Sequence, residues 1–161
     1  MIQWRKLEAA DNALLARIIR SNLEKYHLDI PGTAYYDAQL DNLSEYYSAC
    51  PEKRIYMIAY NEANKVVGGV GVAEYESVPG CAELQKLYLI DEYKGLGYGR
   101  KLVELAEEKA KELGYTEIYL ETHTNLQEAI SLYEKMHYEK QERPLNAVHS
   151  TMNCFYHKRL S

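Results

Sequence analysis

Residues 94–100, Lys-Gly-Leu-Gly-Tyr-Gly-Arg, hold the chain's best means of binding an anion. Gly95, Gly97 and Gly99 let the backbone turn sharply and leave its N–H groups uncovered by side chains. Lys94, Arg100 and Lys101 put positive charge beside them. A helix starting here would add its unpaired first-turn N–H groups and the positive end of its dipole, a combination suited to a diphosphate. Spacing excludes two other phosphate loops. A G-x-G-x-x-G begun at Gly95 needs glycine where Arg100 stands, and begun at Gly97 needs it where Leu102 stands. The Gly-Lys-Ser/Thr ending of a Walker loop is absent. A loop whose glycines serve only to turn the chain is the remaining alternative.

Other chemistries find less support. The three cysteines, Cys50, Cys81 and Cys154, are far apart, with no C-x-x-C pair and no local Cys/His cluster. They read as reduced thiols, and no metal site is expected. The net charge is −5 with Lys and Arg scattered, which argues against a nucleic-acid surface and suits a cationic amine partner. Residues 2–7 have no apolar core of a leader, and no run of about eighteen apolar residues occurs, so no membrane association and a cytoplasmic location are expected. Sixteen tyrosines stand against one phenylalanine, a bias that supplies amphipathic rings to core edges or to a pocket.

The elements that must position the loop follow from hydrophobic period. Residues 2–7 suggest a strand; Asp11 is a candidate N-cap for a helix carrying Leu14, Leu15, Ile18, Ile19 and Leu23. Pro31 and Gly32 mark a turn, and a second helix is expected over 36–49, stopped by Pro51. The period then changes to two: 54–60 and 65–75 predict a hairpin, and 83–90 a third strong strand leading into the loop. A long helix follows, burying Leu102, Val103, Leu105, Ala106, Ala110 and Leu113, with Gly114 as its C′ residue. A strand over 116–121, a helix over 125–136 and strands over 138–142 and 152–160 complete the chain. With 161 residues, 47 % hydrophobic and 27 % charged, one α/β domain spanning 1–161 with a mostly antiparallel sheet is expected.

Residues 83–103 (ELQKLYLIDEYKGLGYGRKLV) resemble motif A of the GNAT acyltransferases. That motif is Gln or Arg, two residues, Gly, one residue, then Gly or Ala, and it maps onto Lys94, Gly97 and Gly99; Lys94 departs from it but keeps the charge of Arg. Residues 125–138 (NLQEAISLYEKMHY) resemble motif B, in which His137 replaces the usual glycine and Tyr138 the phenylalanine. Histidine is among the non-glycine residues enriched in the left-handed conformation that closes such a helix. The two motifs stand in the family's order and spacing, and the resemblance covers the whole chain. It implies a GNAT fold: a mixed, mostly antiparallel sheet of six to seven strands flanked by about four helices, with the fourth and fifth strands splayed and acyl-CoA between them.

The implied reaction transfers an acetyl group from acetyl-CoA to a primary amine, by direct attack in a ternary complex and without a metal. An alkyl amine with a pKa of about 10.4 is only about one part in 2,000 neutral at pH 7, a penalty of about 4–5 kcal/mol, so a base is useful. Glu83 is the candidate base, at the start of the motif A strand; alternation puts it on the side of Gln85 and Leu87, opposite Leu84 and Lys86. A solvent-facing strand-edge glutamate is the competing reading, and Glu121 and His149 rank below it as bases. Tyr133, at the motif B tyrosine, is the candidate acid for the departing thiolate; its competing role is a core aromatic. The resemblance further assigns coenzyme contacts to Leu87, Tyr88 and Leu89, with an oxyanion contact from a main-chain N–H near Leu89. It assigns others to Lys94, Gly95, Leu96, Gly97, Tyr98, Gly99, Arg100 and Asn125. Asn125 is equally suited to cap a helix. Acceptor choice would rest on 26–36 and 143–149, with Tyr35, Tyr36 and Tyr75 as pocket aromatics. A small-molecule amine is the expected acceptor, and a protein N-terminus or lysine, or a coenzyme-binding sensor without transfer, are the alternatives. An edge strand near the C-terminus would support a homodimer.

Overall fold

The computed structural model describes residues 1–142 and 151–161, and in it the change of hydrophobic period becomes a change of layer. The strands are β1 (Gln3–Lys6), β2 (Ile55–Tyr60), β3 (Val66–Glu74), β4 (Cys81–Leu89), β5 (Glu117–Thr122), β6 (Glu139–Gln141) and β7 (Cys154–Arg159). They form one sheet in the order β1-β2-β3-β4-β5-β7-β6. Only β4 and β5 pair in parallel; the other neighbours are antiparallel. The helices are α1 (Asn12–Lys25), α2 (Leu43–Ser48), α3 (Tyr98–Glu112) and α4 (Gln127–Lys135). The expected α/β architecture is present, with the sheet at its seven-strand limit.

Each face of the sheet is covered by the helices whose apolar stripes fit it. Leu15, Ile19 and Leu23 of α1 recur every four residues and, with Leu43 and Tyr47 of α2, pack on Tyr56, Ile58 and Ala73. On the other face Leu102, Val103, Ala106 and Ala110 of α3 and Tyr133 of α4 pack on Val70, Val72, Leu84 and Leu120. Each fully buried Leu or Ile contributes about 1.5–3 kcal/mol. The β3 glycines leave room for this packing: a side chain on Gly69 would strike the Tyr56 ring, and one on Gly71 the rings of Tyr47 and Tyr56.

Three helices close in the same way. After α4, His137 has φ 71°, its N–H donates to Glu134 O (3.2 Å), and Tyr138 N–H donates to Tyr133 O (3.0 Å). Gly114 and Tyr115 repeat the pattern after α3, and His27 and Leu28 after α1. The left-handed role expected of His137 is realised, and His27 shares it.

Three expectations change. The second helix is α-helical only from Leu43, where Asn12 Oδ1 accepts from Ser44 N–H (3.0 Å); ahead of it lie two single 3₁₀ turns, Ala34–Tyr36 and Leu40–Asn42, with an extended Asp37 between them. Asp11 does not cap α1 through its side chain, because both its oxygens face the Arg5 guanidinium (2.7 and 2.8 Å) and one also accepts from Glu8 N–H. β4 starts at Cys81, so Glu83 is its third residue.

The feature that makes a site lies between β4 and β5. They pair only at Cys81–Glu117, Ala82–Ile118 and Glu83–Tyr119. Beyond Glu83, β4 runs on to Leu89 without β5, while all of β5 stays paired to β7. The two strands therefore splay, as expected, with Glu83 at the fork.

Candidate active site

A cavity of about 900 Å³ occupies the fork and is walled by β4, β5, the glycine loop, α4 and the C-terminal end of α1. Gly95 and Gly97 have φ of 75° and 86°, and a Cβ on either would meet nothing within 4 Å. Backbone conformation, not crowding, requires glycine there. Gly97 is the N-cap of α3 and has no side chain to close the helix, so the first-turn N–H groups of α3 lack intrahelical acceptors beside the cavity. Gly95, Gly97, Gly99 and Arg100 line it. Leu96 is 64 % exposed and Tyr98 packs against Tyr93, so their side chains lie off the cavity wall. Lys94 lines the cavity, its ammonium held by Asn22 Oδ1 (2.7 Å) and Asp91 Oδ1 (2.9 Å). Lys94 and Lys25 both hold the Asp91 carboxyl below the usual carboxylate range.

Along β4 the expected alternation fails at one residue. Gln85 pairs with Gly71 and Tyr88 with Gly69, so two β4 residues oppose one of β3, and Lys86 has a left-handed φ of 49°. This bulge reverses the parity beyond it. Leu87 packs on the α3 side with Leu84 and Leu89, while Tyr88 packs on the α1 side. Glu83 and Leu87, expected on one side, are on opposite sides. Tyr56, whose hydroxyl donates to Lys86 O (2.7 Å), pins the bulge, and Lys86 Nζ pairs with Asp37 (3.2 Å) in a largely buried ion pair.

Glu83 is buried and lines the cavity, which removes the solvent-facing alternative. Its Oε1 accepts from Gln85 Nε2 (2.9 Å), and Gln85 Oε1 accepts from the Tyr47 hydroxyl (2.7 Å), a relay that orients the carboxylate. Tyr133 also lines the cavity; its ring packs beside Tyr138 and Tyr156, and burial pushes its hydroxyl pKa upward. No hydrogen bond among the described residues involves that hydroxyl. Glu121 lines the same cavity and accepts from the Tyr119 hydroxyl (3.0 Å).

Asn125 stands outside this group. Leu126, not Asn125, is the N-cap of α4, and Asn125 Nδ2 donates to Tyr26 O (2.9 Å), tying α4 to the end of α1. Tyr75 lines the cavity and stacks on Tyr119 at 4.2 Å, whereas Tyr36 is 63 % exposed. His149 and the segment 143–149 lie outside the described residues. Sequence patterns missed Asn22, Asp37, Lys86 and the Arg54–Glu74 pair (2.7 Å), because each acts through partners distant in the chain.

The sequence profile of the acetyltransferase (GNAT) family matches residues 19–138. The chain is 38 % identical over 137 residues to the uncharacterized N-acetyltransferase YjgM of Escherichia coli, covering 84 % of this chain and 80 % of that one. Its fold matches an acetyltransferase of the GNAT family from Staphylococcus aureus with a TM-score of 0.86, over 100 % of both chains at 20 % identity. It also matches spermidine N-acetyltransferase from Vibrio cholerae, solved with CoA and spermine, with a TM-score of 0.72 at 20 % identity, over 99 % of this chain and 95 % of that one.

Proposed function

The chain belongs to the acetyltransferase (GNAT) family, and from that premise we propose that it acetylates a primary amine of a small-molecule acceptor by direct attack with both substrates bound. Its coenzyme is acetyl-CoA, which supplies an activated acetyl thioester and a diphosphate for binding. The residues present fit that group. The φ-positive glycines and the open start of α3 suit the diphosphate, and the edge of β4 beyond Glu83 suits the amides of the pantetheine arm.

The carrying observation is that Glu83, buried at the fork, and Tyr133, with its hydroxyl unengaged among the described residues, line one cavity. In this reading Glu83 takes the proton of the acceptor ammonium, directly or through water. The Leu89 N–H supports the charge developing on the carbonyl oxygen, and the Tyr133 hydroxyl delivers a proton to the leaving sulfur. A small cationic acceptor is supported by the acceptor side of the cavity. Arg54 is engaged by Glu74 and Lys86 by Asp37, and Glu76, Glu83 and Glu121 add carboxylates. The spermine bound to the Vibrio cholerae spermidine N-acetyltransferase is a small polyamine of that kind.

The test is free-thiol release from acetyl-CoA with polyamines, aminosugars and amino acids beside N-terminal and lysine peptides. Release with small amines, and little with peptides, is expected. Release with peptides alone would transfer the reading to protein acetylation. Tight acetyl-CoA binding without release for any amine would replace it with the sensor reading.

A further inference from the structure

Asn22, near the end of α1, has no part in the reading above, yet its side chain joins three elements at the mouth of the fork. Nδ2 donates to Ile18 O (2.9 Å), within α1, and to Leu89 O (3.1 Å), at the end of β4. Oδ1 accepts from Lys94 Nζ (2.7 Å), at the residue that opens the glycine loop. A carboxamide has both the two donors and the acceptor this pattern requires; aspartate lacks the donors and leucine lacks both.

The two distant partners bear on the coenzyme. Ile90 N–H donates to Val67 O of β3 (2.8 Å), so alternation along the strand turns the Leu89 N–H and C=O to the opposite edge. That is the edge where β4 has left β5. Asn22 therefore closes the Leu89 carbonyl on the cavity side. An ammonium has three N–H donors. In Lys94 one meets Asn22 and one meets Asp91 (2.9 Å), with the Tyr26 ring 5.2 Å away, which leaves the third for an anion in the cavity that Lys94 lines.

We propose that Asn22 is a positioning residue for the coenzyme, holding the Lys94 ammonium against the glycine loop so that the diphosphate meets a charge already in place. This rests on the acetyl-CoA reading. Without Asn22 the ammonium keeps only its contact with the largely exposed Asp91, so the lysine stem regains part of its rotamer freedom and must be ordered on binding.

Calorimetry on the full chain tests this with wild type, Asn22→Leu, Lys94→Met and the double variant. Two ligands are used: acetyl-CoA, and S-acetylpantetheine, which lacks the diphosphate. Asn22→Leu is expected to weaken acetyl-CoA about tenfold, the effect of a hydrogen bond to a charged group, and S-acetylpantetheine by less than about twofold. In the Lys94→Met background it should cost less than about twofold more, because the two residues act as one unit. In turnover assays the loss should fall on KM for acetyl-CoA rather than on kcat. Asn22→Ala, which removes the carboxamide with the best helix-forming residue, should show the same diphosphate-selective loss and serves if the leucine variant does not fold. Equal losses for the two ligands, or fully additive variants, would reduce Asn22 to a packing residue of α1 and overturn the proposal. A wild-type chain that bound no acetyl-CoA would instead overturn the coenzyme reading.

Discussion

In the proposed reaction Glu83 and Tyr133 take opposite protonation tasks from the one cavity that both line, and their surroundings support the division. Burial raises the Tyr133 pKa above its ordinary value of about 10, so the protonated hydroxyl persists throughout the neutral range. Tyr133→Phe should lower turnover about 10²-fold or more while acetyl-CoA affinity stays within about twofold, read by thiol release and calorimetry. The wild-type pH–rate profile should show no falling limb from Tyr133 below about pH 10; such a limb, absent in the phenylalanine variant, would contradict the assignment. Glu83→Gln keeps an acceptor for Gln85 Nε2 and removes the base. Its rate at pH 7 should fall about 10²–10⁴-fold with alkyl amines. Less should be lost with α-amines of pKa about 8, which are already partly neutral. Equal losses for both acceptor classes would count against Glu83 as the base. The types and spacing of these two residues were legible in the sequence; their meeting in one cavity was not.

At the scale of elements, two kinds of glycine separate folding from binding. A Cβ at Gly71 would lie 2.7 Å from the Tyr56 ring and 2.8 Å from the Tyr47 ring. Gly71→Ala should therefore destabilise by about 1–3 kcal/mol. At about 2–4 °C per kcal/mol, that is a clear drop in Tm. At Gly97 a Cβ meets nothing, and only the left-handed φ of 86° opposes alanine. Gly97→Ala should cost about 1–2 kcal/mol of stability and, beyond that, reduce the thermal stabilisation by saturating acetyl-CoA. An unchanged ligand shift in the Gly97 variant would remove the loop from the binding site. The β4 bulge shows why element-level reading stops short. An extra residue in one strand is visible only against its partner, so alternation alone put Leu87 on the wrong side.

For the whole molecule, the tyrosine bias acquires a physical meaning. Rings fill the core while their hydroxyls tie separate elements together, as in Tyr56 to Lys86 O, Tyr138 to Glu107 (2.8 Å) and Tyr156 to Glu134 (3.0 Å). Burial raises the pKa of Tyr47, Tyr56, Tyr88, Tyr133 and Tyr138. The native state therefore keeps protons that the unfolded chain releases above about pH 10. The stabilisation is complete below that pH and is lost as pH rises towards the folded values. The urea midpoint should hold to about pH 9.5 and then fall steeply; a midpoint steady to pH 11 would contradict this. Among the described residues no helix is long and apolar enough to cross a membrane. By itself the sequence determined the glycine loop, the apolar stripes of α1, α3 and α4 and the left-handed close at His137. Each depends on residues within a few positions of one another. Only the tertiary structure decided that the fork opens at Glu83, that Leu87 turns to the α3 side and that Asn22 meets Lys94, 72 positions away. These follow from strand register and helix docking, which are long-range balances of burial and hydrogen bonding that no local pattern encodes.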